Sequence, residues 1–82
     1  MTVGQTVARA RADAGMTVAQ VADSTRIRAT LVKAIENDDF RLCGGDVYAR
    51  GHLKSIATSI GLEPAGLRAL FHAQEGASRT DY

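Results

Sequence analysis

Apolar residues recur along the chain at helical spacing in five separate runs, and no run alternates with the two-residue period of a strand. Val3, Val7, Ala10 and Ala14 form the first stripe, with Arg9, Arg11 and Asp13 expected outside it and Gly15 as its stop. Thr17 and Gln20 make a capping-box pair for a short second helix through Val18, Ala19, Val21 and Ala22. Ser24-Thr25-Arg26 turns out of it. Ile27, Leu31, Ala34 and Ile35 then space a third helix, which runs into the acidic end Glu36-Asn37-Asp38-Asp39. Carboxylates at a helix C-terminus oppose the helix dipole, so this end should either fray or be tied down by a basic neighbour such as Arg41. Phe40 is expected to plug the core just after it.

The fourth run is the best punctuated. Gly44 and Gly45 break what precedes it, and Asp46 is placed to cap a helix starting at Val47. Gly61 stops that helix, and Pro64 stands where a first-turn proline opens the next one. Ala49, Leu53, Ile56, Ala57 and Ile60 fall on one stripe, expected to be core. Tyr48, His52, Ser55 and Ser59 line a second face beside it, and Arg50 and Lys54 a third. In the fifth run Pro64, Leu67, Leu70 and Phe71 give an apolar side that can dock on the fourth helix. The fold class expected is all-α, with a domain over residues 1–75 and a disordered tail or linker start over 76–82.

Composition narrows the function. Ten Lys and Arg against nine Asp and Glu leave a formal charge of +1 in 82 residues, far from the basic stripe of a dedicated nucleic-acid binder. One cysteine, Cys43, cannot form an internal disulfide, and with only His52 and His72 for company it cannot build a zinc site. A reducing, cytoplasmic compartment fits it. No apolar run approaches the roughly eighteen residues of a membrane helix, and no signal-peptide core opens the chain. Gly44-Gly45 lacks the remaining glycines and lysine of a phosphate loop, and no nucleophile has an evident base partner. The expectation is therefore no enzyme, no metal, no cofactor and no small-molecule substrate.

A helix, then Gly15-Met16-Thr17, a short capped helix, a tight turn and a helix opening after Ile27 together resemble the helix-turn-helix of the lambda-repressor-like class. In that class the third helix is the one that would enter a DNA major groove. With the fourth helix included, the chain is similar to the N-terminal cytoplasmic domain of the RodZ family, bacterial membrane proteins of cell-shape control. The marks are Thr25 and Ile27, Ala34-Ile35-Glu36, Asp39-Phe40, then Val47, Tyr48 and Gly51, and lastly Gly61-Leu62-Glu63-Pro64. They run in the family's order over nearly the whole chain to about Phe71. The sequence departs from the family where His52 replaces a Phe or Tyr, Ile56 replaces a Tyr, and Cys43-Gly44 replaces a Leu-Pro.

The resemblance implies a five-helix adaptor domain whose helix-turn-helix serves protein binding. It would contact an actin-like filament protein of the MreB type through the fourth helix, at Tyr48 and His52, with Arg50, Lys54 and Ser55 around them. A following membrane segment, absent from this chain, would hold it at the cytoplasmic face of the membrane. The alternative is a small DNA-binding regulator that reads with the third helix. Arg26, Arg28, Thr30 and Lys33 would then make the phosphate and base contacts, against the charge of Glu36, Asp38 and Asp39.

Overall fold

The computed structural model describes residues 1–78, without the side chains of Asp46 and of residues 75–78. Helix α1 (Val3–Asp13) opens on a capping box: the Thr2 hydroxyl accepts from the Gln5 amide, and the Gln5 side chain accepts from the Thr2 amide. Helix α2 (Val18–Thr25) opens the same way on Thr17 and Gln20, as the sequence predicts. It ends at Arg26, which takes the left-handed conformation at φ 59°. Helix α3 (Ala29–Glu36) follows after two residues, and a 3-10 turn (Arg41–Cys43) leads into α4 (Asp46–Ile60) and α5 (Pro64–Ser78). Five α-helices and no strand appear among the described residues, so the fold is all-α. Residues 79–82 of the expected tail lie outside the described residues.

Helix α4 is central. It packs on α5, α2, α1 and the 3-10 turn, while α1 and α2 both cover α3. All five residues of its predicted stripe are buried, and they meet Val3 and Val7 of α1, Val21 of α2, and Leu67 and Phe71 of α5. Phe40 does plug the junction after α3, its ring edge-on to Phe71 at 4.9 Å between centroids.

Several local expectations shift. Helix α4 starts at Asp46 with Gly45 in the N-cap position, one residue earlier than the glycine break implied; the Asp46 side chain lies outside the described residues. Ile27 is buried but precedes α3, whose fully covered residues are Ile35, as predicted, and Val32 rather than Leu31. Ala14, the C-cap of α1, and Ala19 are exposed. Arg11 is not an outer residue of α1: it folds onto Glu36 at 2.6 Å and also donates to the Met16 carbonyl. Glu36 is covered with it, its side chain only 11% exposed.

The acidic end of α3 is tied down rather than frayed. Asp39 pairs with Arg41 at 2.8 Å, which with the Arg41 amide holds its carboxyl down at about 2. Asp38 sits at φ 60° and accepts from the Thr2 hydroxyl, the Gly4 amide and the Gln74 side chain. It thereby joins the end of α3 to the start of α1 and to α5. Burial pushes the Asp38 carboxyl up, but these three donors outweigh it and the net direction is down.

Candidate functional site

Two surfaces carry the residues singled out in the sequence. On the first, the helix-turn-helix formed by α2, Arg26 and α3, all four cationic or hydroxyl candidates reach solvent: Arg26, Arg28, Thr30 and Lys33 are partly or well exposed. Thr30 and Lys33 stand three apart on one face of α3. Arg28 occupies the N-cap position of α3 without a side-chain cap bond, so its guanidinium is not used to hold the helix. With Thr30, Leu31 and Leu42 it lines a groove of about 350 Å³. Glu36 and Asp39 are paired with arginines, so they offer less repulsion to a phosphate than bare carboxylates would.

The second surface is α4, and here the five candidates divide. Tyr48 is 64% exposed at the first turn of the helix, and its ring lies over Gly44, 3.7 Å from where a Cβ would stand. His52, one turn on, is half-buried. Ser55 and Lys54 line a polar groove of about 420 Å³ against Ser24 and Thr25 of α2, closed by a hydrogen bond of 3.1 Å between the Ser59 and Ser24 hydroxyls. Arg50 turns the other way, toward α5, where its guanidinium lies 3.5 Å from His72 Nδ1. Tyr48, His52 and Ser55 thus share one side of α4, and Arg50 belongs to another.

Two exposed apolar residues lie outside the set of candidate site residues. Leu42 in the 3-10 turn is 59% exposed and Val47 at the start of α4 is 77% exposed, on either side of the glycine pair and next to Tyr48 in the chain. Their signal was visible, since both fall outside every helical stripe. Cys43 between them is buried, and burial first, then the charge of Asp39, pushes its thiol up, which leaves it a small apolar packing group rather than a nucleophile. Among the described residues no group of His, Cys, Asp and Glu is placed to hold a metal.

The arrangement of α1 to α4 around a helix-turn-helix agrees with comparison to known families: the model of the Helix-turn-helix domain family matches residues 6–67, from α1 into α5. The chain belongs to that family. No curated protein and no solved structure matches it. Membership fits a role in binding DNA or in adaptor contacts generally.

Proposed function

We propose that this domain is an adaptor of the RodZ type, binding an actin-like filament protein of the MreB type through the start of α4 with Tyr48 as its anchor. One observation carries the reading. The large hydrophobics most exposed among the described residues are Met1, Leu42, Val47 and Tyr48, and three of these four stand within seven consecutive residues of the chain. Elsewhere the large apolar residues are buried or half-buried in the core, so this local exposure is the pattern of a surface that a partner covers. An exposed tyrosine with its ring over a glycine is a suitable hot spot, of about 2 kcal/mol or more when buried by a partner. The order of the family marks, from Thr25 to Pro64, supports the same reading.

His52 would form the edge of that contact, with Ser55 further along the same side and Lys54 beside it to meet acidic groups at the rim, while Arg50, which faces α5, would lie outside it. No helix among the described residues is long and apolar enough to cross a membrane, so attachment to the cytoplasmic face would come from another segment. We assign no catalytic step to the domain.

Co-sedimentation with the filament protein of the same organism tests the proposal. The wild-type domain is expected in the pellet, and Tyr48→Ala is expected to weaken binding at least about thirtyfold, the equivalent of 2 kcal/mol. Equal sedimentation of Tyr48→Ala and wild type would remove Tyr48 from the contact.

A second reading, a DNA-binding regulator, is favoured by the solvent-facing set Arg26, Arg28, Thr30 and Lys33 with Glu36 and Asp39 held by arginines. Under it, Lys33→Ala lowers duplex affinity and reduces the slope of log affinity against log salt by about one. Tyr48→Ala leaves both unchanged.

A further inference from the structure

We propose that the groove between α4 and α5 binds a phosphate group, with Arg50 and Arg68 as its two guanidinium ligands and His72 as a third donor. The groove measures about 450 Å³ and is lined by Arg50, Ala65, Arg68, Ala69 and His72, all of them exposed. It is independent of the Tyr48 contact: on α4 the Arg50 side faces α5, whereas Tyr48 lies by the 3-10 turn and Ser59 meets α2.

Three features point to an anion. The first is concentration of positive charge. Arg50 reaches across to His72 on α5, and Arg68 stands one turn before His72 on the same helix, so two guanidiniums and an imidazole converge on one concave surface. The second is that nothing described neutralises them. The ion pairs among the described residues join Arg11 to Glu36 and Arg41 to Asp39, both away from this groove. Glu63, two residues before Ala65 in the chain, accepts from the Ala65 amide and lines a different groove on the α1 side. The third is access. The remaining lining residues, Ala65 and Ala69, are small and leave the groove open to an anion.

The chemistry of the ligands suits a phosphate. Each guanidinium presents a planar fork of N–H donors that matches two oxygens of a phosphate, and the free ion, with four oxygens, can accept from both forks and still leave an oxygen for the His72 ring N–H. Where His72 Nδ1 accepts from Arg50, its proton resides on Nε2, which remains a donor. Phosphate can reach this site as the free ion or as the headgroup of an anionic phospholipid.

The test is an amide-shift titration of the labelled domain with sodium phosphate against sodium chloride at matched ionic strength. A second arm uses vesicles of phosphatidylglycerol and phosphatidylcholine against vesicles of phosphatidylcholine alone. Phosphate is expected to move the amides of Arg50, Ala65, Arg68, Ala69 and His72 while leaving Arg26, Arg28 and Lys33 in place. The double variant Arg50→Gln with Arg68→Gln, both at exposed positions, is expected to bind at least tenfold more weakly. Phosphate shifts without vesicle binding mark the free ion as the source. Vesicle binding lost in the double variant marks the headgroup. The proposal is overturned by equal shifts at every exposed cation, by undiminished binding in the double variant, or by no response in either arm. It is overturned equally if duplex DNA occupies the groove at lower concentration than phosphate or lipid, since the groove is then a nucleic-acid contact.

Discussion

Glycine 4 shows a single position where two physical effects oppose each other. Alanine is the better helix former by about 1 kcal/mol in an exposed helix interior, so propensity alone favours Gly4→Ala. Here a Cβ would stand 2.5 Å from the Glu36 carbonyl oxygen and 2.7 Å from that of Ile35, both backbone atoms that cannot swing aside. Sterics win, because α1 and α3 must separate to admit the methyl. Gly4→Ala is expected to lower stability by about 1–3 kcal/mol, read from denaturant midpoints at unchanged slope. Arg26 is the opposite case. It occupies the left-handed region at a cost of about 1–2 kcal/mol for an L-residue, partly offset by the greater unfolded-chain entropy of glycine. Arg26→Gly is therefore expected to raise stability by about 0.5–1 kcal/mol; a loss would show that the Arg26 side chain makes a stabilising contact.

Asp38 governs how the structure responds to acid. Its carboxyl is held below its ordinary value in the folded state, so its contribution to stability is complete above about pH 4, where unfolded aspartates are ionised, and is lost as pH falls through the lower folded value. The Asp39 carboxyl, at about 2, adds to the same window, though its surface position lets solvent screen it. Unfolding free energy is expected to decline between pH 4 and 2. Asp38→Asn keeps the left-handed backbone and one acceptor oxygen but loses the charge. It should cost about 1–2 kcal/mol at pH 7 and shallow that decline; an unchanged acid slope would assign the effect to other carboxyls.

Among the elements, the hydrophobic period was a good guide where a helix has one buried side and failed where it has more. The stripe of α4 is buried residue for residue, and the Thr17–Gln20 box, Phe40 and the restraint of Asp39 by Arg41 were all legible. On helix α3 the predicted stripe holds at Ile35 and gives Leu31 where Val32 is fully buried, because Ile27, which belongs to the turn, does not share the helical period it is spaced with. Arg11 is expected outside, and Glu36 is expected to oppose DNA with its charge, because single-helix periodicity cannot reveal a partner 25 residues away. The Thr2–Gln5 box and the close approach at Gly4 were missed for related reasons: the first lies at the chain start, the second depends on α3. Of the candidate surfaces, the solvent exposure of Tyr48 followed from its place beside the α4 stripe. The division of Arg50 from Lys54 and Ser55 did not, since it depends on where α2 and α5 pack.

In the molecule as a whole, the three carboxylates at the end of α3 are all engaged by donors, while several basic groups on the surface are not paired with carboxylates among the described residues. Glu36 and Asp38 join α1, α3 and α5, and Asp39 holds Arg41, while Arg28, Lys33, Arg50 and Arg68 have no carboxylate partner among the described residues. A chain of net charge +1 thereby presents separate cationic surfaces, on the helix-turn-helix and between α4 and α5, around an apolar rise at Leu42, Val47 and Tyr48. That division is why membership of a helix-turn-helix family fits both DNA binding and adaptor contacts, and why the surface used must be found directly. Amide-shift mapping of the labelled domain, titrated in parallel with the filament protein and with mixed duplex DNA, separates the two. Adaptor function requires that the filament protein perturb Tyr48, His52 and Ser55 and that duplex DNA at physiological salt leave Arg26 through Lys33 unmoved. Salt-sensitive shifts confined to Arg26, Arg28, Thr30 and Lys33 with DNA, and none on α4 with the filament protein, would contradict it.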